Sequence, residues 1–229
     1  MRWTDRLAQL FVCAGVAMLP LAANAATEDD PFEGFNRVVF KFNDTIDTYA
    51  LKPLAQGYQF ITPQFLEDGI HNMYRNIGDI RNLANDVLQA KPHAAGVDTA
   101  RLLLNTTLGV AGFFDLGTKM GLHRNSEDFG QTLGRWGVES GPYLMLPLLG
   151  PSTVRDAVGL YPDSFTEPYR YISDVPARNM TLGMELIDAR ASLLSAEKLI
   201  TGDKYVFIRN AYLQSREFKV KDGQVVDDF

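Results

Sequence analysis

The sequence predicts an all-α fold in a single domain, on three observations. Apolar residues recur at alternating steps of three and four along most of the chain, the spacing that lines one face of a helix. Sustained period-two alternation, the mark of a half-buried strand, is scarce. No Pro/Ser/Gly-rich linker, charge block, internal repeat or low-complexity segment divides residues 26–229.

The first segment reads as a targeting signal rather than as an element of the fold. Arg2 and Arg6 form a basic start, residues 7–21 are apolar apart from Gln9, and Ala23-Asn24-Ala25 is a small-x-small cleavage site. Residues 1–25 are therefore expected to be a secretory signal peptide, with a retained N-terminal anchor as the alternative, and residues 26–229 the domain proper. Cys13, the single cysteine, is preceded by Phe11 and Val12 and followed by more apolar sequence, a poor context for acylation. It is expected to leave with the signal, so that the remaining chain has no disulfide even in a compartment that permits one.

Phe32, Phe35, Val39, Phe42, Ile46 and Tyr49 form one apolar stripe on a first helix, and Val38 and Phe40 lie off it. A helix apolar on more than one face is buried on several sides or touches lipid. Thr62-Pro63 predicts a helix start. Phe65, Leu66, Ile70, Met73 and Ile77 continue the stripe, and Ile80, Leu83, Ala84, Val87 and Leu88 mark a further helix ending near Lys91-Pro92. Residues 97–107 are helical again, Leu182, Leu186, Leu193 and Ile200 lie on one face of a long late helix, and a last helix is expected over 203–219.

Residues 109–151 are glycine-rich and irregular. Gly130, Gly134, Gly137 and Gly141 precede the run GPYLMLPLLGP, residues 141–151, and no charge falls between Ser140 and Val154. That run is too short to cross a bilayer as a helix, which takes roughly 20 apolar residues, and Pro147 would break one. Two readings stand side by side: core segments of a helical domain, with glycines at turns and close contacts, or an apolar hairpin on glycine hinges that meets lipid.

Charge and motif content narrow the function. The net charge is −6 and Lys and Arg are scattered, with no basic stripe for nucleic acid. His71, His93 and His123 fall in no metal-ligand spacing, and no GxSxG, Walker or GxGxxG motif is present. The 125–128 cluster Asn-Ser-Glu-Asp reads as a turn and helix cap rather than an acid–base pair. No catalytic residue, metal site or cofactor is expected.

Four stretches carry a resemblance. DPFEGFNRVVFKFND (residues 30–44), RLLLNTTLGVAGFFDLG (101–117), EDFGQTLGRWGVESGPYLMLPLLGPSTVRD (127–156) and AYLQSREF (211–218) resemble the MlaA/VacJ family, and the likeness covers nearly all of residues 26–229. The resemblance implies a ring-like protein of amphipathic helices around a central amphipathic channel, seated in the inner leaflet of the outer membrane. Phospholipid misplaced in the outer leaflet would enter the channel and pass to a soluble periplasmic carrier; trimeric porins would be partners. On this basis Val39, Phe42, Ile46, Leu144, Leu146, Leu148 and Leu149 are expected to face channel or lipid. The hairpin that gates the path is expected at Gly137, Gly141, Pro142 and Tyr143, and the sensitive first-helix segment at Lys41 and Phe42. Lys41 and Glu139 are charged departures from the family pattern. The alternatives are a soluble periplasmic lipid-binding protein and a structural adaptor of porins.

Overall fold

A computed structural model of the chain describes residues 30–223. The signal segment and Cys13 lie outside the described residues. Helix α1 (Glu33–Ile46) runs through a π-helical turn (Asp47–Leu51) into α2 (Lys52–Ile61), because both junctions keep helical backbone angles. Thr62 ends the run with an extended backbone, as the residue before a proline must. The two helices expected over 64–88 are one, α3 (Gln64–Leu88), and α4 (Pro92–Thr107) begins at its proline. The short α5 (Leu116–Lys119) and α6 (Phe129–Arg135) are capped by Asp115 and Asp128, each accepting a backbone N–H three residues on.

Residues 143–153 are not helical. Strands β1 (Tyr143–Leu146) and β2 (Gly150–Thr153) pair antiparallel, Tyr143 opposite Thr153 and Leu146 opposite Gly150. Helices α7 (Val154–Asp163), α8 (Val175–Ser192) and α9 (Lys204–Val220) complete the fold, with a 3₁₀ turn (Ala196–Leu199) between the last two. The principal pairings are α3 on α4, α2 on α8 and α6 on α7. The α6–α7 crossing is close: a Cβ on Gly159 would lie 2.6 Å from the Gly130 nitrogen.

The polarity of the interior is inverted. Among the described residues eight apolar side chains are buried against 21 polar or charged ones. The buried positions of α3 are Gly69, Asn76, Asp79, Asn82, Asn85 and Asp86, while Val87 and Leu88 at its end are exposed. A buried polar group is costly unless it is hydrogen-bonded and a buried charge unless it is paired, and most of these groups have partners, the two carboxylate oxygens of Asp98 being among the exceptions. Arg101 donates to the Leu122 carbonyl at 2.6 Å and to Asp115 at 3.2 Å, with Asp79 3.5 Å away. Arg124 donates to Asp79 at 2.5 Å, and Asn105 accepts from the Gly117 amide at 2.9 Å. Large apolar side chains lie outside instead: Phe60 is 91% exposed, Tyr49 81% and Ile61 76%. No helix among the described residues is long and apolar enough to cross a membrane.

Candidate functional site: an amphipathic cavity behind the hairpin

Helix α1 holds the hairpin by two asparagines, one pair of hydrogen bonds each. The Asn36 amide donates to the Tyr143 carbonyl at 3.1 Å and accepts from the Met145 N–H at 2.8 Å. Two turns on, Asn43 donates to the Leu146 carbonyl at 2.9 Å and accepts from the Leu148 N–H at 2.8 Å. Each side chain thus supplies the donor and acceptor that a neighbouring strand would offer to the edge of β1. Behind Asn36, Asp30 accepts at 2.9 Å and Tyr205 of α9 donates to the same carboxylate.

Behind the hairpin, between α1, α8 and α9, lies a cavity of ≈ 410 Å³, within the roughly 300–1,000 Å³ of ligand pockets. One wall is apolar: Phe40, Met145, Leu193, Ile200, Phe207 and Ile208. The charged side chains Asp44, Asp47, Arg190, Glu197 and Lys204, with Asn43 beside them, also line the cavity, paired with one another so that little polar surface faces into it. Arg190 forks onto Asp47 at 2.6 and 2.9 Å and reaches Glu197 at 2.7 Å. Lys204 donates to Asp44 at 2.6 Å, and Lys52 to Glu197 at 3.1 Å. The hydrogen bond from Arg190 outweighs partial burial and holds the Glu197 carboxyl down to about 2; Asp47 in turn raises the guanidinium of Arg190.

Of the residues expected to face channel or lipid, Phe42, Ile46, Leu148 and Leu149 are exposed apolar side chains outside this cavity. At about 100° per residue, Phe42 lies some 200° around α1 from the cavity-facing Phe40, and Phe42 and Ile46 are exposed on the outer side. Alternation along β1 turns Met145 inward and leaves Leu144 and Leu146 half-buried on the other face. Leu148 and Leu149 form the exposed hairpin tip, and Val39 is buried against Tyr143, Met145 and Tyr205. None of these seven lines the cavity, and Lys41 is exposed. The hairpin expected at 137–143 is a connecting loop. Gly137 and Gly141 take φ of 89° and 65° there, Pro142 is exposed, and Tyr143 is the buried first residue of β1. The pairing registers one segment later because 143–146 can meet 150–153 across the Pro147-Leu148-Leu149 tip.

A second, polar cavity of ≈ 250 Å³ lies beside α3 and α8 and includes His71, Asp188, Ser192 and Ser195. His71 pairs with Asp188 at 2.8 Å, a contact that sequence spacing did not reveal. The Ser192 hydroxyl donates to the Ala189 carbonyl rather than to the histidine. No group of three His, Cys, Asp or Glu side chains among the described residues is arranged to hold a metal ion.

An exterior rich in large apolar side chains, an interior dominated by hydrogen-bonded and ion-paired polar ones, and a cavity lined by both apolar and charged side chains define a class: helical proteins that work at a lipid surface on an amphipathic ligand. The comparisons with known proteins give the particular family. The family described as "MlaA lipoprotein" matches residues 28–219. The intermembrane phospholipid transport system lipoprotein MlaA of Haemophilus influenzae is 33% identical over 205 residues, 87% of this chain and 82% of that protein. Its Escherichia coli counterpart is 33% identical over 224 residues, 92% of this chain and 88% of that protein. A solved structure described as "Structural basis for maintenance of bacterial outer membrane lipid asymmetry" superposes with a TM-score of 0.73 at 34% identity, covering 83% of this chain and 98% of that one. The chain belongs to the MlaA family.

Proposed function

We propose that this protein is the outer-membrane component of an intermembrane phospholipid transport system. It takes mislocalised phospholipid from the outer leaflet through the cavity behind the hairpin and passes it to a periplasmic carrier. The observation that carries the reading is the cavity itself: acyl chains need the Phe40–Ile208 wall, and a head group needs the charged side chains Arg190 and Lys204. The names of the relatives, which speak of intermembrane phospholipid transport, support it. The apolar exterior supports residence in one leaflet without a spanning helix, as amphipathic helices lie in the interface. A trimeric porin is the proposed membrane partner. The transfer forms and breaks no covalent bond, and the reading needs no catalytic group.

Gly137 and Gly141 are proposed as hinges on which the hairpin moves. Both sit at positive φ, which proline cannot adopt. The test measures outer-leaflet phospholipid and protein level in cells lacking the chain, complemented with wild type, Gly137→Pro or Gly141→Pro. Wild type should restore asymmetry, and each proline variant should fail at a normal protein level. Asymmetry unchanged by loss of the chain overturns the transport reading. Asymmetry lost only in proportion to lost protein overturns the hinge.

A further inference from the structure

Glu197 stands out among the charges of the cavity. It sits on the 3₁₀ turn Ala196–Leu199 rather than on a long helix, and its side chain keeps 22% exposure. Three cations from three elements converge on its carboxylate: Arg190 of α8 at 2.7 Å, Lys52 of α2 at 3.1 Å and Lys204 of α9 at 3.7 Å. Arg190 and Lys204 each pair with a second acid as well, Asp47 and Asp44. Lys52 forms no other ion pair among the described residues.

We infer that Lys52, Arg190 and Lys204 form a binding site for one phosphodiester group of a lipid, and that Glu197 is the internal counter-ion which fills that site until the lipid displaces it. The inference rests on the phospholipid reading of the cavity. A phosphodiester carries one negative charge and two free oxygens, as a carboxylate does, so the exchange leaves the charge balance of the site unchanged. Asp44 and Asp47 continue to aim Lys204 and Arg190 at the vacated position. Leu193 and Ile200 flank the turn and join the apolar wall, so a phosphate bound there puts its acyl chains against that wall. Charge-assisted hydrogen bonds are about twice as strong as neutral ones; a site that bound phosphate without competition would hold its cargo rather than release it. A built-in competitor weakens the hold and keeps the cations solvated by protein when the cavity is empty of lipid.

The test uses the full chain purified in a neutral maltoside detergent, with Glu197→Gln and Lys52→Met as variants. The probes are dihexanoyl phosphatidylcholine below its micellar concentration, the uncharged dihexanoylglycerol, and inorganic phosphate alone. E197Q should bind the phosphatidylcholine about tenfold more tightly than wild type, the gain expected from removing a charge-assisted competitor. K52M should bind it several-fold more weakly. Neither change should alter binding of dihexanoylglycerol. Equal affinity of wild type and E197Q for the phosphatidylcholine, in protein with an unchanged melting temperature, overturns the inference. So does an equal gain for the uncharged lipid, which would mark a merely wider cavity. The same gain for inorganic phosphate without one for the lipid assigns the site to a free anion and overturns it too. Should E197Q fail to fold, K52M decides alone, and unchanged phosphatidylcholine binding overturns the inference. Absence of any phosphatidylcholine binding to wild type and both variants overturns the transport reading itself.

Discussion

Arg216 of α9 donates to the Asp156 carboxylate of α7 at 2.8 Å, sixty residues away in sequence, and the same guanidinium clasps Asp128, the cap of α6. Burial alone would raise the Asp128 carboxyl; the Arg216 guanidinium outweighs it and holds the group down to about 2. One side chain thereby joins three helices.

Arg216→Met is expected to cost about 3–5 kcal/mol, because it strips Asp128 of its cation and leaves Asp156 with Arg155 alone, 3.1 Å away. Arg216→Met with Asp156→Asn should cost less than Arg216→Met alone. Denaturant unfolding in neutral detergent, followed by the fluorescence of Trp136 at the end of α6, measures both. A loss below about 1 kcal/mol would show that the clamp contributes little.

Asn43→Ala removes the donor to Leu146 and the acceptor for Leu148 at the hairpin tip. About 1–3 kcal/mol of local protection should vanish, since a polar group left without its partner bears its full desolvation cost. Amide exchange at Leu148 should accelerate by at least about tenfold, while Met145, held by Asn36, stays protected. Equal acceleration at both amides would mean global loosening instead.

Asp98 supplies the pH dependence. It is fully buried and neither carboxylate oxygen finds a donor, so the acid keeps its proton and shares it with Asp86. Burial, and then the charges of Asp86 and Asp79, push it up to about 7, with Arg124 opposing. Its folded-state pKa lies above the unfolded one, near 3.9, so the folded form binds the extra proton between those values. Stability from this group is full below about pH 4 and lost as pH rises toward about 7. Asp98→Asn mimics the protonated acid. The variant should show a much shallower decline between about pH 4 and 7, and it should be the more stable protein at pH 8. Parallel melting curves for the two proteins across that range would refute the assignment.

Phe60 and Phe65 project from the α2–α3 corner, 91% and 65% exposed. Each buries roughly 1.5–3 kcal/mol of apolar side chain when it enters a bilayer. Phe60→Asp with Phe65→Asp should lower partition onto phospholipid vesicles by more than about tenfold in a flotation assay, with helical content intact. Unchanged flotation would place this corner away from the lipid.

How much of this was legible depends on the range of each signal. Helices are local, and the steps of three and four in the sequence found α1, α3, α4 and α9, with Asp128 legible as a cap. The late helix expected through Leu193 and Ile200 stops at Ser192 and gives way to the 3₁₀ turn, and α2, α5, α6 and α7 were not predicted. The same steps say that a helix has two unlike faces without saying which one meets protein. On α1 and the turn after it the stripe splits: Phe42, Ile46 and Tyr49 face outward, while Val39 joins Asn36 and Asn43 on the inward face. Nothing local to Asn36 names Met145, 109 residues on, as its partner. The ionic cluster was hidden for the same reason, since Arg190 and Asp47 stand 143 residues apart. The hairpin was legible as an apolar, proline-broken segment, but its register depends on strand pairing and on Asn36 and Asn43, which no spacing rule describes.

The inverted interior changes what the chain can tolerate as it diverges. In a protein with an oily core, packing is graded: a smaller or larger aliphatic residue is accommodated at modest cost, and the surface polarity drifts freely. Here the positions that must match one another are Asn, Asp and Arg in directional contact, where a substitution either satisfies a partner or strands it. The outer Leu, Phe and Val positions need only remain greasy. Related sequences should therefore interchange aliphatic and aromatic residues on the outside while repeating the same polar residues within, and an engineer seeking new variants has latitude where most proteins allow polarity to wander, and almost none where most allow repacking.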